Sequence, residues 1–239
     1  MSGHNKWSSI KNKKGKEDAK RGKIFTKLAR EITVAVREGG ADPEYNPSLK
    51  SAVEKAKAEN MPNDNIERAI KKASGNNATD NYERIIYEGY GPGGIAVVVE
   101  CLSDNKNRTA ANIRHLFDKF GGNLGTDGSV MFMFEKKGLM ISKDKSYDFD
   151  QLMLEALDAG CEDVIEEDDH YEIITDHKNF INVKDKLSEN FDFERAEISY
   201  LADNYIDLDD DKKQSLIKLI DNLEDDDDVQ EVYTNWNVD

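Results

Sequence analysis

From residue 17 to residue 75 the apolar positions recur at helical spacing. Ile24, Leu28, Ile32 and Val36 fall every four residues, with Phe25 and Ala35 widening the stripe. This predicts a helix from about Glu17 to Glu38, stopped by Gly39-Gly40. Asn46-Pro47 predicts the start of a second helix, Asn as cap and Pro at the first helical position, with Leu49, Ala52, Val53 and Ala56 as its buried set. Asn60-Met61-Pro62 breaks it. A third helix follows near Asp64, where Asp64-x-x-Glu67 has the form of a capping box, with Ile66, Ala69, Ile70 and Ala73 inward and Gly75 as its stop.

After a polar linker at 76–81 the pattern changes to strands. Ile85–Tyr90 and Ile95–Leu102 flank Gly91-Pro92-Gly93-Gly94, which reads as a hairpin. A helix over Arg108–Lys119 would bury Ile113, Leu116, Phe117 and Phe120; a Gly-rich loop and a strand, Val130–Glu135, follow. Residues 137–203 then show their own complete series. Leu139–Ser142, Asp163–Glu166, Tyr171–Thr175 and Arg195–Leu201 are strands, and Phe149–Ala159 and Phe180–Glu189 are helices, in the ferredoxin-like order. One more helix, Lys213–Leu223, and one more strand, Val229–Trp236, close the chain.

Residues 82–136 alone would leave half a sheet face bare, and residues 204–239 are too few to fold by themselves. The expected class is therefore α+β: an N-terminal three-helix module followed by two ferredoxin-like α/β sandwich domains, one inserted in the other. The expected layout is a basic arm and helical domain at 1–76, a discontinuous α+β domain at 77–136 plus 204–239, and an inserted α+β domain at 137–203.

Charge sharpens this picture. The 239 residues have a formal net charge of −16, yet residues 1–75 carry 17 Lys and Arg against 10 Asp and Glu. The remainder carries 16 against 39. A basic end on an acidic body points to a polyanion held at that end, the acidic part serving at least solubility. The cations begin in an arm that could bury no apolar face, Lys6, Lys11, Lys13, Lys14 and Lys16. They continue into the first helix as Lys20, Arg21, Lys23, Lys27 and Arg30, of which Lys20, Lys23, Lys27 and Arg30 fall on one side, opposite Ile24, Leu28 and Ile32. Trp7 lies among them, an aromatic suited to stacking on a base or sugar. Lys106 and Arg108, beside a helix N-terminus, are a possible second phosphate contact; the alternative is a plain helix cap made by the Asp and Asn residues there.

Other chemistry finds less support. Cys101 and Cys161 have no ligand or redox spacing and read as small apolar groups in a reducing cytoplasm. His4, His115, His170 and His177 lack metal spacing. Asp207-x-Asp209-x-Asp211 lacks the Gly and Glu of a calcium loop, and Asp225–Asp228 reads as a solvated helix end. The glycines at 121–128 lack the Lys-Ser/Thr of a phosphate loop. No apolar run approaches the roughly 20 residues of a membrane span, and the basic start has no apolar segment after it that would make a secretion signal. No catalytic residue, metal site or small-molecule substrate is expected.

Several longer strings are recognisable. Gly3-His4-Asn5-Lys6-Trp7, Ile10-Lys11 and the run Asp18 to Leu28 resemble the N-terminal signature of the YebC/PmpR family. So do Asn60-Met61-Pro62, Asn65 to Lys72, Tyr87 to Gly94, Asn107 to Ala110, Gly121 to Gly125 and Gly128 to Phe134. The match is dense over the first 135 residues and looser beyond. Asn5 departs from the Ser expected there, and Ser48 and Asn63 from Arg and Lys. These changes weaken a second cationic patch, Lys50, Lys55, Lys57, Arg68, Lys71 and Lys72, which is also expected to pair with Glu54, Glu59 and Glu67.

The resemblance implies a three-domain protein without a cofactor. It further implies a DNA-binding transcriptional regulator or, as in a related mitochondrial translational activator of cytochrome oxidase, a factor acting on the ribosome. The expectation is thus a cytoplasmic, non-enzymatic regulator whose partner is duplex DNA or ribosomal RNA. A protein–protein adaptor and a metal-dependent nuclease are the rival classes.

Overall fold

The computed structural model describes residues 17–75 and 81–238, with residues 17–20 as helix backbone only. The first 59 of these form three helices: α1, Glu17–Gly39; α2, Pro47–Ala58; and α3, Asn63–Ser74. Leu28, Ile32, Ala35 and Val36 of α1 pack on Leu49, Ala52 and Ala56 of α2 and on Ile66, Ala69 and Ala73 of α3, with Met61 between. Ile24 is partly exposed, so the buried stripe begins one turn later than its spacing suggests.

Asn46 fixes the α1–α2 corner. Its Oδ1 accepts from Leu49 N–H at 3.1 Å, while Nδ2 donates to the carbonyls of Ala35 and Gly40 at 2.7 and 2.8 Å. Asn60 takes a positive φ of 59° at the α2–α3 corner, a conformation that Asn tolerates better than most residues. The expected capping box does not form: Pro62 is the cap residue, and Asp64 lies within the first turn of α3.

The chain then divides between two compact units. One combines the helices with residues up to Met131 and from Ile206 onward; the other spans Phe132–Tyr205.

The sheet of the first unit contains β1, Glu83–Tyr90; β2, Ala96–Ser103; β3, Asn123–Leu124; and β8, Val229–Thr234, in the order β3-β1-β2-β8. Neighbours are antiparallel throughout, β2 meeting β8 from Val97↔Thr234 with a bulge at Glu100/Cys101. The β1–β2 turn holds Gly93 and Gly94 at φ of 76° and 78°, where a Cβ would be strained. Two helices cover one face: α4, Lys106–Lys119, capped by Asn105, and α7, Asp210–Glu224, capped by Asp209. Val97, Val99 and Cys101 point at them by the two-residue period of a strand and meet Ile113, Phe117, Leu216, Leu219 and Leu223.

The expected strand over Val130–Glu135 does not form as one element: Met131–Met133 is a short 3-10 turn, Phe134 and Glu135 open a strand of the other sheet, and the third strand of this sheet is instead β3, in the segment read as loop. The cause is Glu88. Its buried carboxylate accepts the backbone N–H groups of Gly128, Val130 and Met131 at 2.6–2.9 Å, removing the donors a ladder would need.

The second unit has β4, Phe134–Ser142; α5, Phe149–Ala159; β5, Asp163–Glu166; β6, Tyr171–Asp176; α6, Phe180–Leu187; and β7, Phe193–Ala202. Its antiparallel order, β5-β6-β4-β7, is that of the ferredoxin-like fold. Met140 and Ile173 of the sheet pack under Leu152 and Ala156 of α5 and Val183 and Leu187 of α6. Both units share the two-layer α+β plan, with a central β1–β2 hairpin in the first and a split arrangement in the second.

Candidate nucleic-acid interface

The cations of α1 follow the helical period, and the structure shows what they meet. Lys23 lies 2.8 Å from the Asp225 carboxylate and donates to the Asp225 carbonyl at 3.0 Å. Lys27 donates to the Glu224 carbonyl at 2.6 Å. Arg30 donates to the carbonyls of Leu102 and Asp227 at 3.2 and 2.6 Å and to Asp228 Oδ1 at 2.7 Å. The middle of the face thus docks on the acidic turn between α7 and β8. Of the remaining expected contacts, Arg21 is exposed. Lys6, Trp7, Lys11, Lys13, Lys14 and Lys16 lie outside the described residues, and Lys20 is described as helix backbone alone.

Asp228 is the centre of this arrangement, and it corrects the expectation of a solvated helix end. Its side chain is only 5% exposed. Oδ2 accepts from Thr109 Oγ1 at 2.7 Å, Arg108 at 2.8 Å and Ser103 Oγ at 3.2 Å, while Oδ1 accepts from Arg30 and Arg108. Burial pushes this carboxyl upward, but the donors Arg108, Thr109 and Arg30 outweigh it and hold the group below the usual Asp range. Arg108 also pairs with Asp104, one helical turn earlier, and these two carboxylates raise its pKa further. Of the possible second phosphate contact, Arg108 is therefore engaged within the protein. Lys106 stays largely exposed, 3.9 Å from Glu83.

On α2, Lys55 donates to Glu231 of β8 at 2.8 Å and lies 3.7 Å from Glu31 of α1. Both of these partners come from other elements. Lys50, Lys57, Arg68 and Lys71 are exposed. Sequence reasoning missed the acidic counter-face because a run of four Asp carries no sign of which one is buried. The only available cue was the apolar strand that begins immediately after it, at Val229.

The chemistry available here is electrostatic and hydrogen-bonding. Cys101 is buried, which pushes its thiol pKa up and disfavours a thiolate. Among the described residues no cluster of His, Cys, Asp and Glu could hold a metal ion. No described helix is long and apolar enough to cross a membrane.

Fold and site together define a class of protein: a basic three-helix module tied to an α+β sheet by ion pairs, the Arg30–Asp228 pair among them largely buried, with a second α+β unit inserted in the chain. Residues 5–76 match the model of the TACO1/YebC protein N-terminal domain, and residues 82–236 that of the TACO1/YebC second and third domain. A probable transcriptional regulatory protein of Finegoldia magna is 61% identical over 99% of both chains. One from Geobacter sulfurreducens is 54% identical over 100% of this chain and 96% of its own. The crystal structure of a conserved hypothetical protein from Aquifex aeolicus superposes with a TM-score of 0.84 at 44% identity, covering 94% of this chain and 93% of that one. The chain belongs to the TACO1/YebC family.

Proposed function

We propose that this protein is a non-enzymatic regulator of gene expression that binds nucleic acid through its N-terminal quarter. The observation that carries this is the cationic charge left facing solvent once the internal pairs are made. Lys23, Arg30, Lys55 and Arg108 are matched to acids of the α+β layer, and Lys27 donates to the Glu224 carbonyl. Arg21, Lys50, Lys57, Arg68 and Lys71 remain exposed on the helices. The five lysines of residues 6–16 precede α1 in sequence and add their charge to the N-terminal part of the chain, with Trp7 among them. The names of the relatives, probable transcriptional regulatory proteins, support a regulatory role, and on this reading the partner is duplex DNA.

A second reading, a translation factor on ribosomal RNA, is favoured by one feature. Residues 76–239 carry 39 Asp and Glu against 16 Lys and Arg. Laid along a duplex, that body would be repelled over a Debye length of about 8 Å.

The test is a salt series of binding isotherms on duplex DNA and on ribosomal RNA. Log affinity is expected to fall with log salt by about 0.9 per phosphate neutralised on the duplex. Deleting residues 1–16 is expected to reduce affinity at least tenfold on the true partner while leaving the melting temperature unchanged. Binding that ignores both salt and the deletion would overturn the proposal and point to a protein partner.

A further inference from the structure

Between α1 and α3 runs an open groove of about 420 Å³. Its apolar floor includes Phe25 and Met61. Tyr82 forms one wall, with the Arg30 guanidinium 5.0 Å from its ring centre. Asn65 is half-buried in the groove, and its amide makes no hydrogen bond to a described residue. Arg68 and Lys72 stand exposed along the rim. Along the sequence Arg68 and Lys72 belong to a diffuse cationic patch; the fold gathers them beside the aromatic ring of Tyr82 and the amide of Asn65.

We infer that this groove takes one unstacked nucleotide of a single-stranded nucleic acid, base inward and phosphates on the rim. An apolar floor with an aromatic wall and a guanidinium plane offers stacking surfaces to a flat ring. Asn65 supplies both donors and an acceptor for a base edge. Arg68 and Lys72 match the charge of the phosphates on either side. A stacked duplex keeps its base faces covered and leaves the floor unfilled, so the groove selects single strands. The volume lies in the range of small-ligand sites, enough for one residue of a strand but not for several. This inference rests on the nucleic-acid reading above and specifies the form of the ligand.

The test measures fluorescence anisotropy of the full chain with a labelled 12-nucleotide oligo(U) and with a mixed-sequence DNA duplex of equal length. Tyr82→Leu keeps apolar bulk and removes the stacking ring; Asn65→Leu removes the base-edge amide; Arg68→Gln removes one rim charge. Tyr82→Leu and Asn65→Leu are each expected to weaken oligo(U) binding about tenfold with an unchanged salt slope. Arg68→Gln is expected to flatten that slope by about 0.7. Duplex binding is expected to change less than twofold in Tyr82→Leu and Asn65→Leu, whereas Arg68→Gln, which also removes charge from the helical surface, weakens binding of both probes. Arg68 lies on the surface, so its variant tests the site even if the other two unfold. If wild-type protein binds oligo(U) and folded variants bind it equally well with equal slopes, the groove is not the site, although the nucleic-acid reading stands. If wild-type protein binds neither probe, both conclusions fall.

Discussion

Asp228 illustrates how much a single carboxylate can organise. It neutralises Arg30 from the helical module and Arg108 from α4, and it accepts two hydroxyl hydrogen bonds besides. Asp228→Asn removes the charge and leaves Arg30, 15% exposed at its side chain, without its carboxylate. The expected cost at neutral pH is about 3 kcal/mol, read as a lower urea midpoint. The pH dependence follows from the depressed pKa. The contribution is fully present above the ordinary Asp value of about 3.9 and is lost as pH falls through the lower folded value. The midpoints of wild type and variant should therefore converge in acid; a constant gap down to pH 2 would show that the charge is not the cause. None of this was legible from Asp225–Asp228 as a string, because burial of one Asp is decided by Ser103, Arg108 and Thr109, more than a hundred residues away. The cations of α1 were legible as a face, but not whether that face meets solvent or protein.

Among the elements, those with strong periodicity or an explicit cap emerged close to their sequence positions. The α1 stop at Gly39-Gly40 and the α2 start at Asn46-Pro47 rest on local chemistry. Asn46→Ala tests the latter. It loses the cap of α2 and two buried bonds to carbonyls at the end of α1, so a destabilisation of about 2 kcal/mol is expected in denaturant titrations, above the roughly 1 kcal/mol typical of a lost cap alone. The segment around Val130 was misread for the opposite reason. Its apolar residues suit a strand, but Glu88, some forty positions earlier, claims its N–H groups. Burial pushes that carboxyl up, yet the three backbone donors prevail and lower its pKa, as a filled ring of N–H groups should. The two-residue strand β3 was illegible because nothing shorter than about four residues carries a periodic signal.

For the whole molecule, the α+β class and the ferredoxin-like order of the inserted unit follow from element sequence, since each amphipathic helix has a sheet face to cover. What the order of elements cannot give is the coupling between the basic module and the acidic end. Lys55–Glu231 and Arg30–Asp228 tie α2 and α1 to the β8 region, so the helices and the first sheet are expected to unfold together. Truncation after Leu223 should accordingly strip hydrogen-exchange protection from α1 as well as from β2. Full protection of α1 in that truncated chain would show the module to be independent.

The pairing of β2 with β8 also sets a timetable for the chain as it is made. The central strand of the first sheet emerges about 125 residues before its partner, a delay of about 10 s at ordinary synthesis rates. Until the final stretch is released, Val97 to Cys101 lack one neighbour, and Arg30 lacks its counter-ion. A nascent polypeptide that stalls or terminates early therefore displays an open strand edge and an unmatched guanidinium together, a combination that quality-control proteases and chaperones could read as the mark of an unfinished product.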